Sequence, residues 1–342
     1  MGGHRHRNIA SACFLIVVFM VIAVIGLRVQ TAKVPKFLGN RAENFTYVNT
    51  TSDPNDFTFI ALGDIKGGMA TFKELLDIAR ADKPAFVVIL GDFVCDPEPI
   101  RHQLFALKMK EENLPFPVFV VPGNHDVSPD GPFRLKDFEK TYGPAQFHFT
   151  IGKYFFVFLN NIPAYSKTGE YLRFLEQAVS EQAGKNREVF VFMHVPPPEL
   201  SPSIKCSGLH GSKHFLQLAR KYNIRYVFTG DHHGYIKIVK DGTTYIVTGG
   251  GGARLRGEHG RFYHLFRVAV EKRMITETVI ATKKRLETIE LLQRNIVFYL
   301  WPLIGKNFIS AGVTLLLFGM VIWLLIRPVR NKKRTSSPDN KS

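Results

Sequence analysis

Five short motifs of metal-ligand residues recur along this chain in a fixed order, and each follows an apolar run. They contain Asp, Asn and His, the side chains that can hold two divalent cations close together. The motifs are Gly63-Asp64-Ile65-Lys66, Gly91-Asp92 with Cys95-Asp96, Gly123-Asn124-His125-Asp126, Met193-His194 and Gly230-Asp231-His232-His233. One such motif would mean little. Five in order, each ending a predicted strand, predict a dinuclear metal site built on a sheet.

The elements that must position these motifs are strands that alternate with helices in the first half of the chain. Apolar runs predict strands at 57–62, 85–90 and 116–121, and helical spacing predicts helices at 69–81 and 100–112. This alternation predicts right-handed crossovers and a largely parallel sheet. Ligand sites in such sheets form outside the carboxyl ends of the strands, so we expect the motifs to converge there.

The second half of the chain is richer in strands. Gly152-Lys153 and Asp241-Gly242 predict two hairpin turns. Strands are predicted at 146–151, 154–159, 188–193, 225–228, 235–239, 244–247, 262–270 and 274–280, and helices at 169–183 and 212–222. The whole pattern predicts an α/β sandwich of two sheets with helices outside.

With Gly123-Asn124-His125-Asp126 at its centre, this series resembles the calcineurin-like metallophosphoesterase superfamily over roughly residues 56–282. The resemblance implies a four-layer sandwich of two mixed β-sheets flanked by helices, and hydrolysis of a phosphate monoester or diester. It also implies two divalent metal ions, with Mn, Fe or Zn as candidates, which together stabilise an in-line phosphoryl displacement. The alternative is a non-catalytic membrane protein that keeps the fold as a binding module.

The resemblance implies a role for each motif residue. Asp92 would bridge the two metal ions, and His125 would lie near the leaving group as acid or electrostatic stabiliser. The other implied ligands are Asp64 and His233 for one ion, and Asn124, His194 and Asp231 for the other.

The chain departs from the family pattern at three positions. Lys66 stands where the family usually has His, and Asp231 also replaces a His. Cys95 stands where an Asp often orients the catalytic His, so Asp96, one residue later, is predicted to orient His125. Cys95 is either a thiolate ligand or a buried structural residue, and Lys66 could contact the substrate phosphate.

Residues beside the last motif leave further alternatives open. The glycine run 249–252 lacks the Lys-Ser/Thr ending of a nucleotide-binding loop, so it predicts a tight turn beside the site. Arg254 and Arg256 follow it and could bind a phosphate or a lipid headgroup, or simply form a solvated face. His232 is the alternative ligand if the loop is shifted by one residue.

Two uncharged apolar runs, 9–27 and 308–326, are each long enough to cross a membrane as a helix. The first could instead be a cleaved signal peptide, although its apolar core is long and no small-x-small cleavage site follows it. The second precedes a basic cluster at 327–334. Because basic residues mark the cytoplasmic side, we expect both termini in the cytoplasm and the central domain outside it.

These boundaries predict seven segments. They are a cytoplasmic tail (1–8), a transmembrane helix (9–27), a linker (28–55), the phosphoesterase domain (56–282), a juxtamembrane helix (283–307), a second transmembrane helix (308–326) and a basic cytoplasmic tail (327–342). The alternative for the juxtamembrane segment is a helix packed on the domain.

The formal net charge of +16 favours an anionic substrate or a nearby membrane surface. Nucleic acid is not expected as a partner, because the sequence contains no recognised binding motif and no basic helix. Tethering at both ends predicts a substrate at or near the bilayer, such as a lipid or another membrane-associated phosphoester.

Overall fold

The structure is a computed structural model that describes residues 2–182, 184–185, 187–256, 260–283 and 288–301. The described residues divide into two compact units, one over residues 28–291 and one containing 2–27 and 292–301. The first unit contains all eleven described strands.

The strands are β1 (Asp56–Leu62), β2 (Phe86–Ile89), β3 (Val118–Val120), β4 (Phe147–Ile151), β5 (Tyr154–Phe158), β6 (Glu188–Phe192), β7 (Tyr226–Thr229), β8 (Tyr235–Lys240), β9 (Thr243–Thr248), β10 (Tyr263–Glu271) and β11 (Met274–Thr282). The helices are α1 (Gly2–Gln30), α2 (Ala42–Thr51), α3 (Met69–Asp82), α4 (Pro99–Glu112), α5 (Leu135–Tyr142), α6 (Pro163–Ser166), α7 (Glu170–Ser180), α8 (Ser212–Lys221) and α9 (Thr288–Asn295). A 3₁₀ turn covers Pro198–Leu200, and a π-helical turn, Ile296–Leu300, follows α9.

Two mixed sheets form the domain, which confirms the predicted α/β fold class. One has the order β11-β10-β1-β2-β3, in which β1, β2 and β3 are parallel. The other has the order β4-β5-β6-β7-β9-β8, with four parallel central strands and an antiparallel strand at each edge. The carboxyl ends of the parallel strands of each sheet therefore point in one direction.

The core between the sheets is aromatic. Phe59 of β1 stacks on Phe86 at 5.2 Å and meets the rings of Phe190 and Phe228, both in the other sheet, edge-on at 5.6 Å and 5.8 Å. The next residue, Ile60, belongs instead to the core under α3 and α4. Because side chains alternate across a strand, each sheet buries one face on the other sheet and one face under helices. A fully buried Phe stabilises the fold by about 1.5–3 kcal/mol.

The segment 28–55 differs from the linker that the sequence predicts. It contains helix α2, and its residues Leu38 and Val48 are buried. Asn40 donates from Nδ2 to the carbonyl oxygen of Val120 at 2.7 Å and accepts from the nitrogen of Val120 at 3.0 Å. Polar residues that suggested a loop thus complete the hydrogen bonds of the edge strand β3.

Among the described residues, one helix is long and apolar enough to cross a membrane, over Cys13–Gln30, and a signal sequence would meet the same criterion. The predicted span 308–326 and the tail 327–342 lie outside the described residues. The predicted juxtamembrane helix is described over 288–301, where Ile289 and Leu292 are exposed.

Candidate metal centre

The motif residues lie just beyond the carboxyl ends of β1, β2, β3, β6 and β7. The three candidate ligand aspartates, Asp64, Asp92 and Asp231, have positive φ values of 61°, 55° and 59°. Asp tolerates this left-handed conformation better than most residues, and backbone strain of this kind gathers at functional sites. It lets the chain turn sharply at each strand end, where the candidate ligand side chains lie.

The structure brings the motif side chains together in two buried clusters that share Asp92. One contains Asp64, Asp92 and His233, and the other contains Asp92, His194 and Asp231. Within each cluster the candidate ligand atoms lie within 4.8 Å of one another. Asn124 adjoins the second cluster, with its Oδ1 3.1 Å from His194 Nε2. Oxygen and imidazole nitrogen donors at this spacing fit two divalent metal ions that share a bridging carboxylate.

Three histidines at the site are oriented in the same way, each with Nδ1 on a backbone carbonyl oxygen. His194 Nδ1 lies 2.6 Å from Leu90 O, His233 Nδ1 lies 2.8 Å from Arg254 O, and His125 Nδ1 lies 2.6 Å from Cys95 O. A carbonyl oxygen only accepts, so each Nδ1 carries the proton. In the neutral form of each ring, the lone pair of Nε2 can then bind a metal ion or take a proton.

Added positive charge would stabilise the buried carboxylates of the site. Both oxygens of Asp64 are buried without a hydrogen-bond partner among the described residues. Burial, with a further contribution from Asp92 and Asp231, raises the pKa of Asp64 well above its ordinary value. The pKa of Asp92 is lowered, because His194, Lys66 and His125 together outweigh the effect of burial. A cation beside Asp64 would compensate its buried charge.

Glycines let the backbone pack against the candidate ligand carboxylates. A Cβ atom at Gly249 would lie 2.5 Å from Asp64 Oδ2, and one at Gly123 would lie 2.4 Å from Asp92 Oδ1. Such contacts are too short for any side chain. The glycine run is thus a turn packed on the first motif, in keeping with the predicted tight turn.

Lys66 points into the first cluster. Its Nζ lies 2.7 Å from Asp92 Oδ2 and 3.2 Å from His233 Nε2, and only 13% of its side chain is exposed. Burial and the Lys66 charge lower the pKa of His233 to about 4, which keeps that imidazole neutral. The ammonium of Lys66 therefore contacts two of the three candidate ligands of this cluster.

The prediction that Asp96 orients His125 differs from the structure. The Asp96 carboxylate is 54% exposed and pairs with Arg101 at 3.1 Å, while the carbonyl oxygen of Cys95 accepts from His125. The main chain thus supplies the acceptor that the sequence analysis assigned to the Asp96 side chain. The three cysteines, all in the described part of the chain, are free of disulfides.

The loop after the glycine run supports His233 through its backbone. Arg254 O accepts from His233 Nδ1, and the backbone nitrogen of Arg256 donates to His233 O at 2.8 Å. Both arginine side chains are exposed. His232, the alternative ligand, accepts at Nδ1 from the Lys205 nitrogen at 3.1 Å and belongs to neither cluster.

Two polar residues at the site escaped the sequence reasoning. Ser207 Oγ donates to Asp231 Oδ1 at 2.9 Å and lies 3.3 Å from Asn124 Oδ1. Asn161 is fully buried, and its Oδ1 accepts from the nitrogens of His194 and Val195 at 3.0 Å and 3.1 Å. The available signal for Asn161 was an Asn pair directly after a strand. Ser207 lies in a loop without any motif.

The sequence of residues 57–235, more than half of the chain, matches the family model described as calcineurin-like phosphoesterase. A dimetal phosphatase from Danio rerio has a similar structure, with 13% identity and a TM-score of 0.51, over 68% of this chain and 100% of that one. Purple acid phosphatase PPD1 from yellow lupin (Lupinus luteus) seeds is 14% identical, with a TM-score of 0.49, over 69% of this chain and 55% of its own. No curated protein sequence matches the chain.

Proposed function

This chain belongs to the calcineurin-like phosphoesterase family, phosphoester hydrolases with a dinuclear centre of divalent metal ions, and from that premise we propose that it hydrolyses a membrane-associated phosphoester. The observation that carries the proposal is the pair of buried clusters that share Asp92. A non-catalytic module would have no need to keep two carboxylate-imidazole clusters buried side by side.

In this proposal one ion is held by Asp64, Asp92 and His233, and the other by Asp92, with further ligands from Asn124, His194 and Asp231. When bound, the two ions supply an activated water and positive charge for the phosphoryl oxygens. Leu90 O and Arg254 O fix the ring orientation of the two ligand histidines.

His125 is the proposed proton donor to the leaving oxygen. Its Nδ1 proton is held by Cys95 O, and its backbone nitrogen donates to Asp92 Oδ1 at 2.9 Å. The ring is therefore anchored beside the shared carboxylate, with Nε2 as the atom that exchanges a proton with substrate.

Arg254 and Arg256 are the proposed substrate contacts. Their exposed guanidinium groups belong to the same loop that holds His233. Arginine binds phosphate through paired N–H donors, so an anionic headgroup bound there would be next to the metal ligands.

The proposed location is a membrane, with both termini in the cytoplasm and the catalytic domain outside it. The apolar helix over Cys13–Gln30 supports one span, and the sequence run 308–326 with its basic cluster supports a second. An epitope inserted at the exposed Asp241-Gly242 turn should be accessible in intact cells, and a C-terminal epitope should not. The reverse pattern would contradict this topology.

The activity is tested with the full-length chain in detergent, assayed with Mn²⁺ against a phosphomonoester, a phosphodiester and phospholipid vesicles. We expect hydrolysis of at least one ester that stops when the metal is chelated and returns when Mn²⁺ is added. Metal-independent turnover, or no turnover of any ester, would contradict the proposal. Faster hydrolysis of the vesicle lipid than of the soluble esters would support the membrane-associated substrate.

A further inference from the structure

We propose that the Lys66 ammonium and one divalent cation compete for the position between Asp64, Asp92 and His233, so that the two metal positions load with unequal affinity. This inference rests on the proposed function, because it concerns the same metal centre. It assigns Lys66 to metal loading instead of to the substrate phosphate.

The geometry supports competition because both cations need the same ligand atoms. Lys66 Nζ lies 2.7 Å from Asp92 Oδ2 and 3.2 Å from His233 Nε2. A first-row metal ion binds carboxylate oxygen and imidazole nitrogen at about 2.0–2.2 Å. An ammonium and a divalent ion held by these atoms would repel each other strongly in a buried site.

The backbone holds Lys66 close to this position. The nitrogens of Ile65 and Lys66 both donate to Asp92 O, at 2.9 Å and 3.0 Å, so the first and second motif loops are tied together. The side chain begins within reach of the carboxylate, and its flexible four-carbon stem can carry the ammonium away when a metal ion arrives.

The Lys66 ammonium neutralises only part of the negative charge of the first cluster. Asp64, the other carboxylate there, keeps both oxygens without a hydrogen-bond partner among the described residues. A divalent ion would bind Asp64 as well as Asp92, which gives the metal its advantage over the ammonium. Lys66 therefore lowers the metal affinity of this position without abolishing it.

The second metal position, at His194 and Asp231, has different neighbours. The Asp231 carboxylate accepts from the hydroxyl and the backbone nitrogen of Ser207, and His194 faces the Asn124 amide oxygen. A hydroxyl carries no charge, so a metal ion entering there displaces or joins a neutral group. We therefore infer that the position of His194 and Asp231 loads first.

The test is metal binding by the full-length chain in detergent after chelation, with Mn²⁺ alone as the probe. Calorimetric titration and the Mn content after equilibration at fixed free Mn²⁺ both report occupancy without any turnover. In the unsubstituted chain we expect one tight site and one weak site. In K66M the weak site should tighten by at least about tenfold, because a nearby positive charge is removed.

Two further variants sharpen the result. K66Q guards against misfolding of K66M, and K73M is the matched control, because Lys73 is a partly exposed lysine on α3 that pairs with Asp77. Tightening in K66M or K66Q and not in K73M supports the proposal. Two ions bound with equal affinity in the unsubstituted and Lys66-substituted chains, together with Mn²⁺-dependent hydrolysis, would overturn this inference alone. Binding of no Mn²⁺ by any variant would overturn the proposed function as well.

Discussion

The carboxylate of Asp126 accepts a hydrogen bond from the backbone nitrogen of Asp92 at 2.7 Å. The same carboxylate accepts from the nitrogens of Gly123 and Val94, at 2.8 Å and 3.1 Å. Asp126 is fully buried, so a single side chain ties the second motif loop to the third. The carboxylate that both clusters share is thus positioned through its own backbone.

Replacing Asp126 with Ala should destabilise the domain by about 3 kcal/mol or more, because three buried N–H groups lose their acceptor. Chemical denaturation of the full-length chain in detergent measures the difference in the free energy of unfolding. D130A is the control, since Asp130 is exposed in the adjoining loop. Equal stability of D126A and D130A would show that the carboxylate does not hold the loops.

Replacing His125 with Ala should lower kcat by about 10²–10⁴-fold while metal binding is retained, because the residue is proposed to move a proton and not to bind metal. The loss should be smaller for a nitrophenyl ester, whose leaving oxygen needs no proton, than for an alkyl ester. H148A, which removes an exposed histidine, is the control. An equal loss with both esters would argue against proton donation.

Replacing Asn161 with Ala should weaken metal binding by about 10–100-fold, because Asn161 fixes the backbone of the proposed ligand His194. Mn²⁺ titration measures this directly, and N55A, at an exposed site, is the control. Unchanged affinity in N161A would mean that His194 needs no such support.

Acid should destabilise the domain partly through His264. Burial lowers the pKa of this imidazole to about 4, whereas an unfolded histidine titrates near 6.5. Between these pH values the unfolded chain binds one more proton at this residue, so stability is present above about pH 6.5 and is lost as the pH falls toward 4. His264 lies against Thr248 Oγ1 and Phe262 O, which leaves it no acidic partner in those contacts.

The substitution H264Q removes this titration. Denaturation at pH 7 and at pH 4.5 should show a smaller loss of stability in H264Q than in the unsubstituted chain. A loss of stability of equal size in both chains would show that His264 does not contribute to the destabilisation by acid.

The succession of strands and helices and the convergence of the motifs could be predicted, because an apolar run followed by Asp, Asn or His is a local signal. Three features could not, because they depend on partners distant in sequence. Asn40 completes the edge of β3 eighty residues away. Cys95 acts through its main-chain carbonyl, which no residue type reveals. Lys66 is visible in the sequence as a departure from the family pattern, but its contact with His233 depends on the fold.

The two-metal site depends most directly on Asp92, which both clusters share. The decisive measurement is Mn²⁺-dependent ester hydrolysis by D92N, taken with its Mn content, beside the unsubstituted chain and D96N, which alters an exposed carboxylate. We expect D92N to lose at least about a thousandfold in turnover and to bind fewer ions, since a neutral amide bridges metal ions poorly. Full turnover and an unchanged Mn content in D92N would contradict the two-metal site.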